Sequence, residues 1–87
     1  MDTYQLEAFE AVVTHGSFAR AAADLHLTQP AVTRQIASLE SSLRTRLFER
    51  LGRGVRITSS GEALHLQAGA IVRLVAAARE EMADIEA

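Results

Sequence analysis

The sequence has no cysteine, no lysine and only one proline among its 87 residues. The absence of cysteine excludes disulfides, thiolate zinc sites and thiol catalysis. One proline and five glycines are too few for a disordered chain, and 48% hydrophobic residues are enough for a core. Because a chain this short buries only about 60–65% of its unfolded surface, we expect one small domain that a partner chain or an extended helix helps to stabilise.

A long hydrophobic run is also missing. The longest apolar stretch, residues 68–78, is too short to span a membrane, and Arg73 interrupts it. The N-terminus, Met1-Asp2-Thr3, has neither the basic flank nor the apolar region of a signal peptide. We therefore expect a soluble, cytoplasmic protein.

Charge is unevenly distributed along the chain. The net charge is −2, but residues 20–56 carry seven of the nine arginines and reach +4, while the two flanking segments are each at −3. All the basic residues are arginine, the side chain best suited to bidentate recognition of phosphate and guanine. A solvated face with scattered ion pairs is the alternative, and charge alone does not decide between them.

Apolar residues at helical spacing predict three helices in the first half of the chain. The first covers residues 4–15 and ends at Gly16, and Ser17 is suited to cap a short second helix that reaches Leu25. The third covers residues 28–43. It begins with a threonine that can cap it and has a proline in its first turn, where a missing N–H costs nothing.

A β-hairpin is predicted after the third helix. Residues 47–50 and 55–58 are short runs compatible with strands. Between them lies Leu51-Gly52-Arg53-Gly54, whose glycines can adopt positive φ angles. We expect Arg53 at the tip.

A long helix is predicted from residue 59 to residue 87. Thr58 or Ser59 can cap it, and Ser59 with Glu62 fits the S-x-x-E capping box. Seven apolar residues follow at alternating steps of four and three: Leu64, Ala68, Ile71, Val75, Ala78, Met82 and Ile85. Packing within one domain can produce such a stripe, but heptads sustained over this length favour a second copy of the chain as the partner, and hence a homodimer.

The second and third predicted helices describe a helix-turn-helix, whose second helix enters the DNA major groove. An ordered series of residues extends this pattern over nearly the whole chain: Leu6, Phe9, Gly16–Phe18, Ala21, Ala22, Leu25, Thr28–Ile36, Leu39, Glu40, Leu47–Arg50, Arg53–Thr58 and Gly61. In this series the chain resembles the DNA-binding domain of LysR-type transcriptional regulators of bacteria.

The resemblance implies a mainly α fold. A winged helix-turn-helix of three helices and a two-stranded β-hairpin would occupy residues 1–58, and a linker helix that dimerises antiparallel would occupy residues 59–87. It implies transcription regulation through double-stranded operator or promoter DNA, on an interrupted palindrome bounded by T and A. The family's effector domain is absent from this chain, which is expected to be an isolated DNA-binding portion, with a naturally short protein as the alternative. No cofactor or membrane partner is expected.

The resemblance also assigns roles to residues. Gln29, Pro30, Thr33 and Arg34 correspond to recognition-helix positions that contact bases and phosphates, and Ala31 to a groove-facing position that varies with the target.

The resemblance also assigns roles to positions other than these recognition-helix residues. Arg53 corresponds to the wing residue that enters the minor groove, while Ser17, Phe18 and Thr28 correspond to positions near the DNA backbone. Arg50 is added as a candidate DNA contact, although the hairpin arginines could also serve only solubility.

Two residues depart from the usual pattern. Arg44 stands where the family usually has glycine after the third helix, so either it adopts a strained left-handed cap or the helix runs on slightly. His26 occupies the turn of the helix-turn-helix, where glycine is the general preference.

Other functions fit the residues less well. Glu62 and His65 have a metal-ligand spacing but lack further ligands, so no metal site is expected. The serines lack a recognisable catalytic base, so no enzymatic activity is expected. The alternative function is a coiled-coil protein-interaction module, and another winged-helix family, such as the multidrug-response regulators, is the alternative within DNA binding.

Overall fold

The computed structural model describes residues 1–86, which form four helices and one β-hairpin. The order and bounds are α1 (Thr3–His15), α2 (Phe18–Leu25), α3 (Gln29–Leu43), β1 (Phe48–Arg50), β2 (Val55–Ile57) and α4 (Ser59–Glu86). This is the predicted winged helix-turn-helix followed by a long helix. The predicted end of that helix at Ala87 lies outside the described residues.

Local capping fixes where the first three helices begin. Asp2 Oδ1 accepts the Gln5 N–H at 2.8 Å, and the Gln5 side chain accepts the Asp2 N–H at 3.2 Å, forming a capping box. Ser17 and Thr28 cap α2 and α3, each accepting the N–H three residues on, at 3.1 and 3.2 Å. The predicted caps at Ser17 and Thr28 are therefore confirmed.

The ends of α2 and α3 use left-handed residues that are not glycine. His26 and Arg44 both have a φ of 56°. After each, the next backbone N–H donates to a carbonyl five residues back, at 2.9 and 3.1 Å, so the helix ends are satisfied. The third helix therefore stops at Leu43 rather than running on, at a conformational cost of about 1–2 kcal/mol per left-handed residue.

The core forms where the first three helices meet. Five large side chains have less than 2% of their surface exposed: Phe9, Val12, Val32, Leu39 and Leu47. The ring of Phe48, in β1, lies 5.3 Å from that of Phe9 and 6.0 Å from that of Phe18, measured between centroids. These aromatic contacts fix the hairpin against the helices.

The root of the hairpin is held by a carboxylate from α3. Glu40 accepts the N–H groups of Leu47 and Phe48 at 2.7 and 3.3 Å, and Arg46 Nε lies 3.5 Å from the same oxygen. The strands pair antiparallel and are each one residue shorter than predicted. The angle of the hairpin is therefore set by α3 as well as by the core.

Thr58, and not Ser59, caps α4. Its hydroxyl accepts the Gly61 N–H at 3.0 Å and donates to the Arg46 carbonyl at 2.6 Å. The predicted Ser59–Glu62 capping box is wrong in the described chain, because Thr58 already occupies the cap position.

The first half of α4 is part of the domain's own core. Ala68 is fully buried, and Leu64 is half-buried against the same cluster. Gly61 is buried where α4 crosses the hairpin, and a Cβ there would collide with the Leu47 carbonyl and the Ile57 side chain. Glycine is therefore needed at this crossing.

Polar contacts with α1 extend the support of α4. His65 Nδ1 lies 2.7 Å from Glu10 Oε2, and Arg79 Nη1 donates to Glu7 Oε1 at 2.7 Å. The Arg79 guanidinium also lies 5.7 Å from the centroid of the Tyr4 ring. As a result, α4 leaves the domain in a defined direction.

Candidate nucleic-acid interface

The first turns of α3 form an exposed polar surface. Gln29, Pro30 and Arg34 are exposed, and Thr33 is half-buried beside them. The helix N-terminus below them carries the positive end of the helix dipole, which attracts anions, although Thr28 already accepts the Ala31 N–H there. An anionic ligand with hydrogen-bonding edges suits this surface.

One residue of the hairpin joins this surface. A groove beside α3 is lined by Gln29, Pro30, Thr33, Arg34 and Arg50. The Arg50 guanidinium lies 4.2 Å from the centroid of the Phe18 ring, and its Nη2 donates to Thr33 Oγ1 at 3.2 Å. The structure thus brings together residues that are up to 21 positions apart in the sequence.

The tip of the hairpin presents a separate cation. Arg53 is exposed between two glycines, and Gly54 closes the turn with a φ of 72°. The Leu51 N–H donates to the Gly54 carbonyl at 3.2 Å. Arg53 does not line the α3 groove, so it can address a different part of an extended ligand.

The remaining predicted site residues are positioned mainly by structural contacts. Ser17 and Thr28 use their side-chain oxygens as helix caps. Phe18 is only 6% exposed and supports Arg50 with its ring, and Ala31 is half-buried. These four residues shape the surface from beneath or at its edge.

The interface retains its positive charge. Three arginines elsewhere are paired with carboxylates: Arg46, Arg56 and Arg79. Within residues 1–86, no such pair involves the three interface arginines, which are Arg34, Arg50 and Arg53. Three of the six arginines without such a pair in residues 1–86 therefore lie on the α3 and hairpin face; the others are Arg20, Arg44 and Arg73.

A comparison with protein families decides the assignment. The family model described as the bacterial regulatory helix-turn-helix protein, lysR family, matches residues 3–62. The chain belongs to the LysR family. Among relatives, an uncharacterised HTH-type transcriptional regulator of Azotobacter vinelandii is 58% identical over 64 residues, which are 74% of this chain and 44% of that protein. The regulator TfdT of Cupriavidus pinatubonensis is 38% identical over 99% of this chain and 41% of its own length.

Solved structures of LysR-family domains have the same fold. The crystal structure of the CbnR DNA-binding domain with DNA is 36% identical, with a TM-score of 0.85 over the whole of both chains. The BenM DNA-binding domain with catB site 1 DNA is 33% identical, with a TM-score of 0.87 over 100% of this chain and 98% of that one. The chain spans less than half the length of the two regulators named above.

The long helix of this LysR-family chain exposes apolar residues that overlap the predicted seam only in part. Leu64 and Ala68 face the core, whereas the rest of the seam is half-buried or exposed: Ile71, Val75, Ala78, Met82 and Ile85. Leu66 and Leu74, which the heptad pattern omitted, are 83% and 70% exposed. A periodic pattern identifies apolar positions but not the side that the domain itself covers.

The potential metal ligands in residues 1–86 do not cluster. This part of the chain contains no group of three or more His, Cys, Asp or Glu side chains that could hold a metal ion. Glu62 and His65, whose spacing alone resembles a metal-ligand pair, belong to no such group, and His65 contacts Glu10. None of the described helices combines the length and the apolarity that crossing a membrane requires.

Two features of the site were not predicted from the sequence. One is the role of Glu40 at the hairpin root, and the other is the stacking of Arg50 on Phe18. Neither has a local signal, because each joins residues from separate elements. Glu40 belongs to the series of residues that carries the LysR resemblance, and this was the sequence signal available for it.

Proposed function

We propose that this chain binds double-stranded DNA in a sequence-specific manner as a homodimer and thereby regulates transcription. The observation that carries this proposal is the cluster of exposed, unpaired arginines and hydrogen-bonding side chains at the N-terminal end of α3. The DNA complexes of the similar CbnR and BenM domains support it. A non-enzymatic role follows from this proposal and agrees with the regulators among the relatives.

The recognition helix is α3. An α-helix with its side chains is about 10–12 Å across and fits a major groove about 12 Å wide. Gln29, Thr33 and Arg34 read base edges, and Pro30 and Ala31 shape the approach. Arg34 can make the bidentate contact that arginine forms with guanine.

Other residues contact the DNA outside the major groove. Arg53, at the exposed tip, enters the flanking minor groove, where a narrow groove concentrates negative potential. The N-termini of α2 and α3, capped by Ser17 and Thr28, approach phosphates. Phe18 acts indirectly by holding Arg50.

The homodimer forms through α4. An apolar row at i, i+4 spacing is exposed along it: Leu66, Ala70, Leu74, Ala78 and Met82. Rows of this spacing pack as ridges into the grooves of a facing helix. Ile71, Val75 and Ile85 flank the row, whereas Leu64 and Ala68 serve the chain's own core. Two-fold symmetry then places two recognition helices on two half-sites of an interrupted palindrome, about 34 Å or a multiple apart.

The test is selection of bound duplexes from a random pool by the purified chain, followed by affinity measurements at two salt concentrations. We expect a two-fold palindrome to be enriched and its affinity to fall steeply with salt, because several phosphates are neutralised. Failure to enrich any sequence at low salt, by protein that is folded and dimeric, would favour the coiled-coil protein-interaction module instead.

A further inference from the structure

Arg50 links the hairpin to the recognition helix through one hydrogen bond. Its Nη2 donates to Thr33 Oγ1 at 3.2 Å, and both residues line the α3 groove. The guanidinium also lies 4.2 Å from the centroid of the Phe18 ring, and Phe18 is only 6% exposed. Arg50 therefore has a defined position although it lies on the surface.

This contact determines what the Thr33 hydroxyl can offer to a ligand. A hydroxyl carries one hydrogen to donate and two lone pairs to accept with. Because a cationic N–H occupies one lone pair, the oxygen becomes a poorer acceptor for a second donor and its own O–H is polarised as a donor. The free hydrogen can then be directed into the groove.

We infer that Arg50 is a positioning residue that makes Thr33 a hydrogen-bond donor toward the DNA, so that this position of the operator selects an acceptor. The inference rests on the proposed function. In the major groove, guanine, adenine and thymine each present an acceptor, whereas cytosine presents an amino donor. Cytosine is therefore disfavoured at the base that Thr33 faces.

Lysine cannot replace arginine in this role. It keeps the positive charge, but it lacks the flat guanidinium that stacks on Phe18 and the fork that reaches Thr33 while leaving other N–H groups free. Arg50→Lys should thus keep the positive charge at this position and lose control of Thr33. Arg56→Lys is the matched control, because Arg56 lies on the neighbouring strand and pairs with Glu49 at 2.7 Å instead.

The experiment repeats the selection from random duplexes with four further chains: Thr33→Val, Arg50→Lys, the double variant, and Arg56→Lys. The base that Thr33 faces is the operator position at which Thr33→Val loses its preference. We expect the wild-type chain to disfavour cytosine there by about three- to tenfold, the size of one hydrogen bond. Arg50→Lys should lose most of that discrimination, whereas Arg56→Lys should keep it together with the wild-type affinity for random DNA.

The double variant separates positioning from an independent contact. If Arg50 acts through Thr33, the double variant discriminates no worse than Thr33→Val alone, whereas independent contacts would give additive losses. Additive losses, an unchanged base preference in Arg50→Lys, or no position altered by Thr33→Val would each overturn the inference while leaving the proposed function intact. If the wild-type chain selects no sequence, the proposed function fails, and the inference fails with it.

Discussion

Arg34 projects from the second turn of α3 into an exposed groove, and no carboxylate within residues 1–86 pairs with it. A guanidinium in this position can contact either a base edge or a phosphate. The two differ in their consequence, because only a base contact depends on the sequence of the DNA.

Replacing Arg34 with alanine tests which partner it contacts. We expect Arg34→Ala to cost about 1–3 kcal/mol of binding free energy on the selected operator and much less on random DNA. Titrations of both duplexes at one salt concentration measure the difference, with Arg20→Ala, exposed on α2, as the comparison variant. Equal losses on the two duplexes would show that Arg34 contacts only phosphate.

Arg44 has a strained backbone conformation that a glycine at the same position would relieve. Its φ of 56° suits glycine, which pays no steric penalty in the left-handed region. We predict that Arg44→Gly raises the free energy of unfolding by about 1 kcal/mol, measured by urea denaturation. Arg46→Gly, two residues on and outside that region, should not stabilise the domain. A lower stability of Arg44→Gly would contradict the strain argument.

At the scale of the elements, α4 and the hairpin meet at one glycine. Gly61 packs against the Leu47 carbonyl and the Ile57 side chain, where no Cβ fits. Although alanine is the better helix former, we expect Gly61→Ala to lower the free energy of unfolding by about 1–3 kcal/mol through overpacking.

Gly69, in the same helix, is the matched control for Gly61. A Cβ there would meet only the ends of the Glu10 and Arg73 side chains, at 3.1 and 3.2 Å, and these can move. Gly69→Ala should therefore cost less stability than Gly61→Ala in the same denaturation experiment. The reverse order would mean that the crossing of α4 and the hairpin is looser than described.

The element boundaries could be predicted wherever the signal is local. Ser17 and Thr28 cap α2 and α3 as expected, since a cap bonds to a backbone N–H only three residues away. The start of α4 was ambiguous, because Thr58 and Ser59 both carry hydroxyls. Thr58 is the cap because its hydroxyl donates to the Arg46 carbonyl and its N–H donates to the Leu47 carbonyl, both across the hairpin root.

The site could be predicted only in part, because some of its contacts join residues from separate elements and leave no local signal. The exposed face of α3 follows from its spacing and its cap, and Arg53 at the tip follows from its flanking glycines. The placement of Arg50 between Phe18 and Thr33 depends on how the hairpin docks. No pattern within α2, α3 or β1 alone specifies that docking.

For the whole molecule, α4 has one side on the domain and an apolar row on the surface. In the second half of α4, the row consists of Leu74, Ala78 and Met82, and the other eleven residues there are also exposed or half-buried. Leu74 lies at the centre of the row, with 70% of its surface exposed. A second copy of α4 would cover this row, whereas the core around Phe9 lies entirely within one chain. Dimerisation and folding should therefore be separable.

A charge placed in the row should break the dimer without unfolding the domain. We expect Leu74→Glu to weaken self-association at least about tenfold, because each copy loses a buried leucine and gains a like charge. Arg73→Glu, at the exposed neighbouring position outside the row, should leave the dimer largely intact. Sedimentation equilibrium measures the association, and circular dichroism checks the fold. A Leu74→Glu chain that still dimerises as the wild type does would place the interface elsewhere.

Sequence-specific binding by a dimer is tested most directly by titrating the wild-type chain against three duplexes of equal length. These are the selected palindrome, a scrambled version and a version with one half-site destroyed. We predict two chains per palindrome and an affinity at least about a thousandfold higher than for the scrambled duplex, with the half-site duplex in between. Equal affinity for all three duplexes would contradict the assignment of α3 as a helix that reads sequence.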